Sequence, residues 1–293
     1  MKNLFTKFDL HIHSPFSDGQ LNLDLQIKTA IKLGLKIIGF SDHIFPFAFY
    51  KHPKNKQIFP SGFVTCYSSE FLKYRKKVFR FYERKYSQIR ILNGAEIDIY
   101  PHGTLTLPRN VKPDFFDYLL IAKHHTIPKD LGFLFRRKPN VEKWLWKYDP
   151  MLKLNEYLWE KGVYFAFSKY KPDVFAHFQE GIPKSFIYFK KKEKMKRFVL
   201  MCKKFNVAIE LNNLYWDKKR KLNHLTWCVP ILEYGHEYGV KFSLASDFHG
   251  FEKDYEFYLN KSQEMIELVE KYDLELIDPR KFLPENRKKT KFE

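Results

Sequence analysis

Two patterns of apolar residues alternate along the chain. Short apolar runs rich in β-branched residues are typical of buried parallel strands, and seven occur: "FDLHIHS", "LKIIGFSDH", "RILNGAEIDIY", "FDYLLIAKHH", "PDVFAHF", "VAIELNN" and "VKFSLASDFH". Between them, apolar residues recur every three or four positions, as at Leu23, Ile27, Ala30 and Ile31 before Gly34, which predicts amphipathic helices. Further helices are predicted at 69–89, 140–162, 190–205, 229–239 and 260–272. Together they predict an α/β fold, a (β/α)7 barrel of parallel strands surrounded by helices.

The chain shows no internal repeat, no low-complexity linker and no clear domain boundary. Single α/β barrels commonly reach roughly 200 to 300 residues, so 293 residues fit one such domain. We therefore predict a single domain over residues 1–293, with a barrel core at about 8–275 and a basic C-terminal tail at about 276–293.

Composition is that of a folded globular protein, because 44% of residues are hydrophobic and 18% are aromatic. No apolar run reaches the roughly 18 residues that a membrane span needs, so we expect no membrane partner. Cys66, Cys202 and Cys228 show no C-x-x-C spacing, which favours a reducing compartment. The N-terminus runs straight into "FDLHIHS" and leaves no room for a signal peptide. These features together predict a cytoplasmic protein.

The chain is strongly basic, with 52 Lys and Arg against 34 Asp and Glu and a formal net charge of +18. The excess is uneven, because residues 51–90 hold eleven basic residues against two Glu, and residues 184–204 hold nine against one. Two interpretations stay open: solvated lysine-rich helix faces, or recognition of an anionic substrate or partner. Charge alone does not decide between them.

Residue types that ligate metals follow or end nearly every predicted strand: His11, His13, His43, Glu96, His124, His125, His177, Asp247 and His249. The C-terminal ends of the strands form the active-site face of a β/α barrel, so these side chains are expected to converge. Residues two apart on a strand point to the same side, so each H-x-H or D-x-H pair can hold one cation. Imidazole and carboxylate ligands suit Zn, Mn or Fe. Each pair alone is a weak signal, but the joint pattern predicts a polynuclear metal site.

Six of these motifs, in this order, resemble the PHP (polymerase and histidinol phosphatase) phosphoesterases over about residues 8–250: "HIHSPFSDG", "GFSDH", "NGAEIDI", "DYLLIAKH", "AHF" and "SDFH". The resemblance implies a distorted seven-stranded barrel with up to three divalent ions. It assigns one ion to His11, His13, Glu96 and Asp247. It assigns a second to Glu96, His124 and His177, with Glu96 bridging the pair. It assigns the third to Asp18, His43 and His249.

Two details refine the resemblance. His125 can replace His124 if the fourth strand shifts by one residue, although strand alternation favours His124. The long predicted helix before Glu96 resembles the histidinol-phosphatase branch, whereas "AKHH" replaces the "GSVH" common at the fourth strand of that family. The branch suggests a small phosphate monoester as substrate, and the exact substrate stays open.

The resemblance implies hydrolysis of a phosphate monoester by a metal-bound hydroxide at a trinuclear site, with Glu96, Asp247 and His249 as catalytic residues. Long loops follow the second and fourth strands and mix aromatic with basic residues, so they are expected to set specificity. The candidate substrate contacts are Lys123, Lys129, Arg136, Arg137 and, just past the third strand, His102. Alternatively, these aromatics pack the loops down and the charges are solvated.

Two rival functions remain. A metal-dependent nuclease acting on single-stranded DNA, RNA or short oligonucleotides would use the basic charge and the aromatic-basic loops. A non-catalytic binding protein with a decayed site is the other rival, but the ligand set is complete. His52, His224 and His236 match no motif, and the sequence does not indicate an oligomeric state.

Overall fold

The computed structural model describes residues 7–44, 68–99, 103–108, 111–123, 150–183, 186, 191–212, 224–250 and 265–287. Its seven strands are all parallel and neighbour one another in chain order. They are β1 (Phe8–Ile12), β2 (Ile37–Phe40), β3 (Arg90–Asp98), β4 (Tyr118–Ala122), β5 (Val174–Phe175), β6 (Ala208–Asn212) and β7 (Phe242–Ala245). A parallel bridge between Ile12 and Phe248 joins the ends of β1 and β7. The predicted (β/α)7 barrel is therefore confirmed, and it is irregular at the two-residue strand β5.

Helices accompany the strands: α1 (Leu23–Lys32), α2 (Ser69–Lys85), α3 (Pro150–Tyr170), α4 (Phe178–Gly181), α5 (Lys192–Phe205), α6 (His224–Tyr238), α7 (265–271) and α8 (Pro284–Arg287). Side-chain oxygens of Asn22 and Ser68 cap α1 and α2, as expected for these residue types. Among the described helices, none is long and apolar enough to cross a membrane.

Helix α3 differs from its predicted span of 140–162. It extends to Tyr170 because Val163, Ala166 and Phe167 continue its buried face, so the helical spacing does not end at Gly162. Residues 140–149 lie outside the described part of the chain.

Alternate side chains of the strands fill the barrel interior, among them Leu10, Leu92, Leu120, Val174 and Ala208. Tyr118 lies at the centre of this layer with its hydroxyl 2.6 Å from the hydroxyl of Ser41. Gly39 and Gly94 make room for that ring, because a Cβ at either position would lie 2.1 or 2.2 Å from an atom of Tyr118. The interior is thus a packed core, and the charged residues of the candidate site lie at its mouth.

The opposite end of the barrel is closed by residues that follow α7. Ile277, Phe282 and Leu283 are buried in the same cluster as the barrel interior, and Leu276 bridges to Phe242 of β7. The stretch predicted as a basic tail from about 276 therefore begins with residues that pack into the core. The domain limits themselves stay a prediction.

Candidate metal centre

The first strand supplies two buried histidines. His11 lies in β1 and His13 follows it, and strand alternation turns both rings to the same side, with their Nε2 atoms 3.1 Å apart. The loop after His13 then folds back on itself. A Cβ at Gly19 would lie 2.2 Å from the His13 carbonyl oxygen, so only glycine fits there. This close turn brings an oxygen of Asp18 to 3.1 Å from His13 Nδ1.

A buried ion pair anchors this loop. The Asp42 carboxylate accepts hydrogen bonds from the Ser14 amide at 2.6 Å and from the Ser17 hydroxyl at 3.0 Å. Arg75 of α2 donates to the same carboxylate at 2.6 Å, and its other nitrogens donate to Asn93 and to two strand carbonyls. Arg75 is fully buried. The loop that carries Asp18 is therefore tied to β2, β3 and α2.

Glu96 of β3 occupies the centre of the histidines. Its Oε1 lies 2.6 Å from His177 Nε2. Its Oε2 lies 3.0 Å from His43 Nδ1, 3.2 Å from His11 Nε2 and 3.4 Å from His13 Nε2. The two carboxylate oxygens thus face different histidines, Oε1 facing His177 and Oε2 facing His43, His11 and His13.

Asp247 closes the buried side of the cluster. Its Oδ1 lies 3.1 Å from His13 Nε2 and 3.4 Å from His11 Nε2, and Asn212 of β6 donates to its other oxygen at 3.3 Å. Asp247 and His177 adopt positive φ angles of 55° and 27°. Non-glycine residues in this region are strained, and such strain concentrates at functional sites.

Three further side chains form the outer part of the cluster. Asp18, His43 and His249 are 21%, 18% and 30% exposed, whereas the inner ligand candidates are nearly inaccessible. The Asp18 Oδ2 lies 3.2 Å from His249 Nε2 and 3.6 Å from His43 Nε2. His249 Nδ1–H donates to the Asp247 carbonyl oxygen at 2.8 Å, because a carbonyl can only accept. That bond leaves Nε2 as the ring nitrogen of His249 that faces the cluster.

Mutual attraction keeps five groups of the cluster charged: His11, His13, Asp18, Glu96 and Asp247. Burial disfavours the charged forms, but the neighbouring carboxylates Asp18, Asp247 and Glu96 outweigh it and raise the pKa of His13 to about 10. Burial likewise opposes ionisation of Glu96 and Asp247, yet the surrounding histidines hold the pKa of both carboxyls well below their usual range. Protons on His11 and His13 balance these carboxylates in the metal-free protein, and divalent cations can take over that role.

The donor set fits metal ions. Three groups each place one ligand atom per residue within 4.8 Å of the others: His13, Asp18, His43 and His249; His11, His177 and Asp247; and His11, His13 and Glu96. Imidazole nitrogens with carboxylate oxygens suit Zn, Mn or Fe. The structure therefore brings together all the predicted ligands that it describes. His124, the remaining one, and its alternative His125 lie outside the described residues, and the role of each residue as a ligand stays a prediction.

Of the five predicted substrate contacts, the structure describes Lys123. His102, Lys129, Arg136 and Arg137 lie outside the described residues. Lys123 is buried directly after β4, and burial lowers the pKa of its ammonium to about 8. By strand alternation, Lys123 follows the outward residues Leu119 and Ile121. Its contact with a substrate stays a prediction.

Sequence reasoning missed two polar residues of the centre, Glu210 and Asn212 on β6. The Glu210 carboxylate lies 2.8 Å from His11 Nδ1, and Asn212 donates to both Glu210 and Asp247. Both side chains are buried. The sequence feature that could have revealed them is a Glu and an Asn two positions apart in the apolar run "VAIELNN". Residues with this spacing share one face of a strand, so both side chains would point to the same side.

The protein is a seven-stranded barrel, and histidines and carboxylates lie together at its mouth. These two features place it in the class of metal-binding β/α barrels. The PHP domain family model matches residues 9–214, which is most of the chain. The chain therefore belongs to the PHP phosphoesterase family, as the motifs indicated.

Solved structures support the same fold. Histidinol phosphate phosphatase from Lactococcus lactis, complexed with zinc, L-histidinol and phosphate, is 16% identical and superposes with a TM-score of 0.59 over 93% of this chain and 95% of that one. A candidate histidinol phosphatase from Listeria monocytogenes is also 16% identical, with a TM-score of 0.54 over 86% of this chain and 100% of that one. The DNA polymerase/3′-5′ exonuclease PolX of Bacillus subtilis is 27% identical over 131 residues, which are 45% of this chain but only 20% of PolX.

Proposed function

We propose that this protein is a metal-dependent phosphatase that hydrolyses a small phosphate monoester at a trinuclear site. The observation that carries the proposal is the position of Glu96, with one oxygen 2.6 Å from His177 and the other 3.0 to 3.4 Å from His43, His11 and His13. A buried carboxylate directed to two sets of imidazoles suits a shared ligand between neighbouring cations.

The residues of the chain have separate tasks in this proposal. When bound, divalent cations would lower the pKa of a water and neutralise the oxygens of the phosphate. Glu96 and Asp247 supply the negative charge that lets cations lie close together. His249, at the rim of the cluster, presents its Nε2 beside Asp18, where the phosphate would enter. Because water is the nucleophile in this proposal, the reaction needs no Ser or Cys nucleophile.

The leading substrate is L-histidinol phosphate or a compound of similar chemistry. The structural neighbour from Lactococcus lactis binds zinc, L-histidinol and phosphate, and this similarity of fold supports the choice without fixing it. The test is phosphate release from L-histidinol phosphate by zinc- or manganese-loaded protein, with Asp247→Ala as control. Rapid release by the wild type alone is expected. No release, with metal bound, would remove this substrate.

A nuclease is the second candidate function, and the outer face of α2 favours it. Lys73, Lys77 and Arg84 are exposed there beside Tyr74 and Phe81, which are more than half exposed. Cations with exposed aromatic rings suit single-stranded nucleic acid, and PolX is among the relatives. Cleavage of 5′-phosphorylated oligonucleotides that falls steeply with added salt would favour this alternative.

The location of the protein in the cytoplasm stays a prediction.

A further inference from the structure

We propose that Glu210 is a positioning residue of the metal centre, which fixes the ring of His11 and the main chain of His177 so that both histidines present nitrogen lone pairs to the cations. The inference deepens the proposed function and rests on its metal site. Glu210 lies in the middle of β6 and is 1% exposed. Its neighbours on the inward side of the strand are Ala208 of the barrel core and Asn212 of the cluster.

One carboxylate oxygen determines the tautomer of His11. Glu210 Oε1 lies 2.8 Å from His11 Nδ1, and an ionised carboxylate can only accept, so Nδ1 carries the hydrogen. In the neutral ring that a cation would bind, the lone pair then lies on the other nitrogen, Nε2. That nitrogen faces Glu96 at 3.2 Å and Asp247 at 3.4 Å. A carboxylate on the far nitrogen also makes an imidazole a better metal ligand.

The second oxygen acts on His177 through the backbone. Glu210 Oε2 accepts from the His177 amide at 2.7 Å and from Asn212 Nδ2 at 3.1 Å. His177 has a φ of 27° and directs its Nε2 to within 2.6 Å of Glu96. The hydrogen bond to the amide therefore holds a strained residue in the conformation that aims its ring at the bridging carboxylate.

Glu210 is not itself placed as a ligand. Both of its oxygens are engaged by N–H donors between 2.7 and 3.1 Å away. None of the three candidate ligand groups found among the described residues includes it. Its influence on a cation must therefore pass through the residues that its two oxygens contact, which are His11, His177 and Asn212.

Glu210→Gln tests this role because an amide has the same shape but only one accepting atom. It can accept from His11 Nδ1 or from the His177 amide, but no longer from both through different oxygens. We expect zinc affinity, measured by competition with a chelating dye, to fall by about 10- to 100-fold. The matched control is Asp117→Asn, since Asp117 is a buried carboxylate that accepts from Asn93 and Arg80 at the opposite end of β4. It should lower stability and leave zinc affinity unchanged.

A second measurement on the wild type covers the case in which Glu210→Gln does not fold. In zinc-loaded protein with ¹⁵N-labelled histidine, NMR should show His11 protonated at Nδ1 and bound through Nε2. The opposite tautomer would overturn the inference, as would unchanged zinc affinity in folded Glu210→Gln. Wild-type protein that binds no zinc would overturn the inference and the proposed function together. Zinc binding without hydrolysis would overturn the reaction alone, because the dye and NMR measurements need no substrate.

Discussion

The inner and outer halves of the candidate metal centre differ in how they are built. The inner half, formed by His11, His13, Glu96, His177 and Asp247, is nearly inaccessible, and its residues lie in or directly after strands. The outer half, formed by Asp18, His43 and His249, is 18 to 30% exposed and lies on loops. His13 belongs to both, because its two nitrogens face Asp247 and Asp18.

This difference predicts that the two halves hold their cations with different affinities. Side chains on strands packed into a barrel core have few alternative positions, so the inner half is preorganised for its cations. Loop residues that reach solvent can adjust to an incoming phosphate and can release a cation more easily. We therefore expect two classes of bound metal, a tight inner class and a weaker outer one.

Glu96→Ala should have the largest effect, because it removes the carboxylate shared by the inner histidines. We expect kcat/KM for the phosphate ester to fall by about 1,000-fold or more, with loss of more than one bound ion per chain. Metal content by elemental analysis and steady-state kinetics measure this. Full activity in a folded Glu96→Ala protein would refute the site assignment.

Arg75→Met should have the largest effect on folding. The substitution leaves Asp42 as a buried charge without its partner, which typically costs about 3–5 kcal/mol. Urea unfolding measures the loss, and Arg280→Met is the control, since Arg280 contacts only the neighbouring Asp278 among its described ion pairs and is largely exposed. Equal stability of the two variants would show that the Arg75–Asp42 pair does not anchor the loop.

His249→Ala should separate the two halves of the centre. We expect a loss of about 100-fold in kcat/KM together with loss of the weaker class of metal, because His249 belongs to the outer group. The tight class should remain. If the variant instead lost all of its metal, the two halves would not be independent and the comparison drawn above would be wrong.

The smallest expected effect is that of pH on the thermal stability of the metal-free protein. In the metal-free protein the pKa of His13 is raised from 6.5 to about 10, so its protonated form stabilises the fold fully below pH 6.5. That contribution is lost as pH rises through 10. Metal-free protein should therefore lose about 2–4 °C in Tm for each 1 kcal/mol lost between pH 7 and 10.

Zinc-loaded protein should lose less over the same range, since a ligating ring is already neutral. Thermal unfolding with and without zinc checks the difference, and His13→Gln should bring the two pH profiles closer together, with His11 supplying the remaining difference. A metal-free profile that is already parallel to the loaded one would contradict the assigned charge of His13.

The strands and the mouth residues were predictable because both follow simple periodicities. Apolar runs marked the seven strands, and the ordered ligand types at their ends marked one face of the barrel. Glu210 was not predicted as functional, because a Glu in an apolar strand does not reveal which barrel position it faces. Arg75 could not be distinguished from Lys76 and Lys77 beside it, since only the packing of α2 selects the residue that becomes buried. The end of α3 was missed because Gly162 within a helix resembles a stop signal.

The most direct test of the central claim is anomalous X-ray scattering from zinc-soaked crystals. The account predicts a peak beside His11, His13 and Asp247, a second beside His177 and Glu96, and a third, weaker one beside Asp18, His43 and His249. Crystals of the Glu96→Ala variant, soaked in the same way, should lack the first two peaks. No peak within the cluster, or peaks at other surfaces only, would contradict the claim that this barrel mouth is a metal centre.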